Sequence, residues 1–63
     1  MNNLKALREA KGLTQEDVAK VVGVSRVAVL KWENHQSIPN AKYVPKLAQL
    51  LKCSVDDILR LYA

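Results

Sequence analysis

Little in this sequence can cross-link it. Of its 63 residues one is cysteine, Cys53, so no disulfide can form within the chain. One residue is histidine, His35, and with a lone cysteine it cannot supply the tetrahedral ligand set of a zinc site. No metal or other cofactor is therefore expected. An unpaired thiol fits a reducing compartment. No N-terminal stretch reads as a signal peptide, and no apolar run is long enough to cross a bilayer. The expectation is a cytoplasmic protein without a membrane partner. No nucleophile and base can be assembled with an acid to support them, so no enzyme is expected and no residue is assigned a catalytic role. Chains this short are marginal unless they are stapled, closely packed or oligomeric. With staples excluded, close helix packing and a partner subunit remain.

Glycine and proline are scarce too, with two of each, and they fall at informative places. Gly12 and Gly23 each follow an apolar-periodic stretch, where a left-handed residue ends a helix. Between them, Thr14-Gln-Glu-Asp17 is a capping-box pattern, and Ser54-Val-Asp-Asp57 repeats it near the C-terminus. No segment has the two-residue alternation of a half-buried strand; Val21-Val-Gly-Val24 is β-branched but short and broken by glycine. The sequence predicts a single all-α domain over residues 1–63, a compact five-helix bundle. The first helix runs from about Leu4 to Lys11 behind Asn2 or Asn3, the second from Gln15 to Val22, and the third from Arg26 to Asn34 behind Ser25. The fourth ends at Leu51 and the fifth runs from Val55 to the end. Asn40 is a good cap for the fourth helix. Pro45, however, pushes Val44 out of the α region, so the regular part is expected to begin at Pro45.

The segment Gln15 to Asn34 carries the functional argument. Ala19 is small where the third helix must cross the second, and Gly23 admits a left-handed turn. Val18, Val22, Val24, Val29 and Trp32 are spaced to enter one shared core. These are the requirements of a helix-turn-helix. On a helical wheel of the third helix, Val29 and Trp32 mark the core side. Val27 and Asn34 fall opposite, flanked by Leu30 and Lys31, with Arg26 at the edge. The formal charge is +4 and the pI about 9.5, which favours an acidic polymer or surface as partner. A face entering the DNA major groove needs long donors for guanine edges and apolar groups for thymine methyls. Arg26 and Lys31 offer the first, Val27 and Leu30 the second. The other reading of Arg26 and Lys31 is a pair of ordinary surface charges.

In this order and spacing the chain resembles the Cro and repressor family of phage and bacterial regulators. The resemblance is carried by Leu4 through Arg8, Gly12-Leu-Thr-Gln15, Val18-Ala19, Gly23-Val-Ser25 and Val29. It continues through Trp32-Glu-Asn34, Pro39, Leu47-Ala48, Cys53-Ser-Val-Asp56 and Ile58-Leu59. The segment Tyr43-Val-Pro-Lys-Leu-Ala48 is most similar to lambdoid phage repressors. The resemblance implies a transcriptional regulator, a repressor by preference, whose third helix lies in the major groove of double-stranded DNA. It implies base contacts from Arg26, Val27 and Lys31, with Leu30 beside them. Gln15 matches a residue that holds a phosphate at a helix N-terminus, where free N–H groups attract anions. Asn34 and Lys42 match backbone-contacting positions, Ser25 is grouped with them, and a solvated loop lysine is the other reading of Lys42.

Glu33 lies about 40° from Val29 on the wheel, at the core margin, where a carboxylate needs a partner. The resemblance supplies Arg8, and the pair reads as structural. The chain departs from the family at three positions. His35 stands where glycine is usual and is expected to cap a helix in the left-handed region. Leu30 stands at a position more often polar. Cys53 replaces a common valine and reads as a small buried hydrophobe. A homodimer, at least on DNA, is expected through Ile58, Leu61 and Tyr62, with Leu61 outside the stripe of Val55, Ile58, Leu59 and Tyr62. Such a dimer presents two recognition helices about 34 Å apart to a near-palindromic operator. The rival reading is a protein-interaction module on the same fold, such as an antitoxin-like subunit.

Overall fold

A computed structural model describes residues 3–63. Five helices follow one another: α1 (Leu4–Ala10), α2 (Gln15–Val22), α3 (Arg26–Glu33), α4 (Val44–Leu51) and α5 (Val55–Arg60). No strand occurs among the described residues, and no helix there is long and apolar enough to cross a membrane.

Four of the five helices start behind a side-chain cap, and four end at a residue of positive φ. Asn3 caps α1 by accepting the Ala6 N–H at 2.8 Å; the other expected cap, Asn2, lies outside the described residues. Both expected capping boxes are closed. Thr14 and Asp17 exchange bonds of 2.9 and 3.0 Å at the start of α2, and Ser54 and Asp57 exchange two of 3.0 Å at the start of α5. The ends are equally local. Gly12, Gly23, His35 and Lys52 all have positive φ and stand just past α1, α2, α3 and α4. After α3 the His35 N–H returns to the Trp32 carbonyl and the Gln36 N–H to that of Lys31, so the last carbonyls are satisfied by a Schellman turn. His35 thus takes the left-handed role expected of it, while Asn34 caps α3 without extending it.

α4 starts one residue earlier than the sequence predicts. Val44 is its first residue and Pro45 its second. A proline costs nothing there, because first-turn N–H groups have no intrahelical acceptor to lose. A turn before it sets up the entry, with Tyr43 N–H bonded to the Asn40 carbonyl at 2.8 Å.

The core is built from α2, α3 and α4 and closed by Leu4 of α1 and Ile58 of α5. Val18, Ala19 and Val22 meet Val29 and Trp32 across the helix-turn-helix, and Leu47 and Leu51 seal them from α4. Val24 is only partly buried, at the edge of this cluster. Cys53 is partly buried against it as well; burial raises its thiol pKa, which keeps it protonated.

The C-terminal segment corrects the expected interface. Ile58 is fully enclosed at 0% exposure and belongs to the core, so it cannot meet a partner. Leu61, expected to be bare, packs partly against that core. Tyr62 is half-buried and donates its hydroxyl to the Trp32 carbonyl at 2.8 Å. The physical reason is that Ile58 lies on the side of α5 that packs against the core; past Arg60 the chain tightens into i→i−3 turns, Leu61 N–H to Ile58 and Tyr62 N–H to Leu59, which keep Leu61 and Tyr62 near that side. The apolar residues left outside are Val55 and Leu59.

Candidate nucleic-acid interface

α3 is short and amphipathic, and its inner side is fixed by Val29 and Trp32. The outer side therefore follows from the helical period. Arg26, Val27, Leu30, Lys31 and Asn34 are all exposed on it, Val27 at 55% and Leu30 at 38%. Ser25 is the N-cap of the helix and its hydroxyl accepts the Ala28 N–H at 3.2 Å, which leaves the hydroxyl hydrogen free to donate. Two cations and two apolar side chains thus share one rigid, solvent-facing surface.

That surface is braced from behind by a buried ion pair. Arg8 of α1 and Glu33 at the end of α3 meet with Nε–Oε2 at 2.6 Å and Nη2–Oε1 at 3.3 Å. Their side chains are only 10% and 3% exposed. Arg8 gives a third bond, from Nη1 to the Leu13 carbonyl at 2.8 Å. The Glu33 hydrogen bonds, opposed by desolvation, raise the Arg8 pKa and keep its charge firmly in place. An uncompensated charge here would be costly, and no buried side-chain polar atom among the described residues lacks a partner.

Gln15 joins this network, which the sequence reading missed. Its Nε2 donates to Glu33 Oε1 at 3.0 Å. A carboxylate only accepts, so the amide nitrogen must face inward, and one of its two hydrogens remains for another acceptor. The available signal was Glu33 itself: a buried carboxylate has more lone pairs than one arginine fills. Gln15 is also the first residue of α2, whose N-terminal charge is offset by Glu16 and Asp17 in the same turn. A phosphate there would depend on the positioned amide more than on the helix dipole.

Lys42 is exposed, and its ammonium lies 5.1 Å from the centroid of the Tyr43 ring. That ring sits 6.0 Å from Trp32, so Lys42 is tied to the back of α3 through two aromatics. On the same side the His35 and Tyr62 rings are 5.1 Å apart. Among the described residues no group of three or more His, Cys, Asp or Glu is placed to hold a metal ion.

Comparison with known proteins agrees with this fold. A helix-turn-helix family model matches residues 4–58. Repressor protein C2 of Salmonella phage P22 is 35% identical over 57 residues, covering 90% of this chain and 26% of C2. A crystal structure of that repressor with a synthetic operator superposes with a TM-score of 0.86 at 34% identity, over 92% of this chain and 88% of the other. HTH-type transcriptional activator BcrR of Enterococcus faecalis is 36% identical over 89% of this chain and 28% of its own length. An uncharacterized HTH-type transcriptional regulator of Methanocaldococcus jannaschii is 39% identical over 90% of this chain and 86% of its own length. The chain thus spans about a quarter of C2 and of BcrR, but most of the archaeal protein.

Proposed function

Because the chain belongs to the helix-turn-helix family, we propose that it is a sequence-specific, double-stranded DNA-binding transcription regulator, and that it acts as a repressor by occupying an operator. The observation that carries this is the outer face of α3, where Arg26 and Lys31 flank Val27 and Leu30 on a helix fixed by the Arg8–Glu33 pair. The two cations supply donors to guanine edges. Gln15, Ser25, Asn34 and Lys42 surround them as phosphate contacts, the Ser25 hydroxyl keeping its own hydrogen to donate while it caps the helix. Such contacts set register without reading sequence. The P22 repressor structure with operator supports the same docking here. A cytoplasmic location fits the free thiol of Cys53.

Binding is proposed to be two-fold, on a near-palindromic operator, with Val55 and Leu59 as the apolar surface available on α5. The test of DNA binding is selection from a random duplex library at stated salt. Arg26→Ala and Lys31→Ala should each cost about 1–3 kcal/mol at the selected site and relax base preference there. Gln15→Ala should weaken all duplexes more evenly. Two α3 variants as tight and selective as the parent would refute the assignment. Absence of any duplex binding at low salt would favour an antitoxin-like protein-interaction module instead.

A further inference from the structure

Ten residues of the chain are lysine or arginine, and the surfaces described so far use only some of them. Arg8 is committed to Glu33. Arg26, Lys31 and Lys42 belong to the proposed DNA face. Lys46 and Lys52 stand elsewhere, where α4 runs beside α2. They border a groove of about 400 Å³ whose other walls are Val21, Gln49 and Leu50. The helical period explains this arrangement. Leu47, Ala48 and Leu51 turn into the core, so Lys46, Gln49 and Leu50, at i, i+3 and i+4, fall on the outer side of α4. Lys52 follows as the residue that ends α4. Val21 supplies the wall from α2 and is 52% exposed, while Leu50 is partly buried against the core. Among the described residues no acidic side chain lines the groove. The carboxylate one turn before Val21 on α2, that of Asp17, is held by Thr14 in the capping box.

These walls define what fits. The occupant must be negative where the two ammonium groups stand and apolar over Val21 and Leu50. A nucleic-acid backbone supplies the negative charge but no aliphatic side chain for Val21 and Leu50. The volume is that of a pocket, which spans roughly 300–1,000 Å³, and so suits a few side chains of a short segment. No strand among the described residues offers an edge to pair with, so side chains must make the contact. We infer that the groove between α2 and α4 docks a short acidic amphipathic helix of another protein, its apolar side chains over Val21 and Leu50 and its carboxylates at Lys46 and Lys52. Gln49 can donate or accept at the rim. The groove contains no residue of α3 and none of the phosphate contacts assigned above, so partner and DNA do not compete for the same side chains.

The experiment selects from a displayed library of random linear peptides against the intact chain without DNA, so its outcome is separate from the DNA reading. The selected peptide is mapped by amide chemical shifts, and its affinity is measured by fluorescence anisotropy. Selected peptides should be rich in Asp and Glu, with large apolar residues at helical spacing, and the shifts should centre on Val21, Gln49 and Leu50. Lys46→Gln and Lys52→Gln should each weaken binding about threefold. Val21→Ser should weaken it about tenfold. All three side chains are exposed, and circular dichroism checks that the variants stay folded. Lys46→Glu combined with Lys52→Glu should abolish binding and admit a peptide whose acids are exchanged for lysine. Failure to enrich any peptide, peptides without acidic residues, shifts centred elsewhere, or affinities indifferent to these variants would each overturn the inference. Other occupants have their own signatures. A salt dependence of duplex binding that falls by about one charge for each lysine replaced would make the lysines DNA contacts. Self-association of the chain that Val21→Ser removes in sedimentation would make the occupant a second copy. Either result overturns the acidic partner.

Discussion

Glu33 shows how much one residue can carry. Its carboxylate is 3% exposed and receives bonds from Arg8 and Gln15, so removing a partner strands a charge in the interior. Arg8→Ala or Glu33→Ala should lower stability by on the order of 3 kcal/mol, a large share of what a domain this small possesses. A double-mutant cycle by urea denaturation should return a substantial coupling energy, and a coupling near zero would refute the pairing. Tyr62 is the second case. Burial, with a further contribution from the Glu33 charge, pushes its pKa up to about 12 from the usual 10.0. Between those values the folded protein holds a proton that the unfolded chain has released, so Tyr62 makes stability fall as pH rises through that window. Tyr62→Phe should flatten that alkaline limb while costing about 1 kcal/mol near neutrality for the lost bond to Trp32. A limb of unchanged slope would show that Tyr62 does not carry it. The Arg8–Glu33 pair was legible because Glu33 lies at the core margin of its helix and the family resemblance offers one arginine. The inward turn of Gln15 was not, since it depends on two helices meeting, which spacing within α2 does not encode.

Helix boundaries were the most legible level, because caps are local. Thr14 and Ser54 announce α2 and α5, and Gly12 and Gly23 close α1 and α2 within a few residues of sequence. The start of α4 was less legible, since proline fits the first or the second helical position and sequence alone does not choose. Lys52 offers a prediction at this scale. It ends α4 at φ 58° without being glycine. A side chain in the left-handed region costs roughly 1–2 kcal/mol, and glycine returns about 0.4–1 of that as unfolded-state entropy. Lys52→Gly should therefore stabilise by about 0.5–1 kcal/mol, a rise in melting temperature of a few degrees. His35→Gly should gain less, because it also removes the ring beside Tyr62. An unchanged or lower melting temperature for Lys52→Gly would show that the turn is not strained.

The whole molecule leaves a small apolar surface on α5. Val55 and Leu59, one turn apart, are 42% and 51% exposed, while of the residues first expected at an interface Ile58 is buried, Leu61 partly buried and Tyr62 bonded inward. For Ile58 that expectation failed because a helical wheel shows which residues share a face but not how much of that face the core covers. If two copies meet on DNA through this face, Leu59→Glu should convert a two-to-one complex on the selected operator into a one-to-one complex, as read by sedimentation. A stoichiometry of two in that variant would exclude the face.

The Arg8–Glu33 pair also has a consequence in time. Caps and turns join residues a few positions apart and can form early, whereas this pair closes a separation of 25 residues between the first helix and the third. A contact of that span, resting on packing already in place, belongs on the native side of the folding barrier. Breaking it should leave the folding rate nearly unchanged and speed unfolding, since stability lost after the transition state appears in the unfolding rate. The lifetime of the folded α3 should then depend on an ion pair at its back, on the side turned away from the surface that Arg26 and Lys31 present.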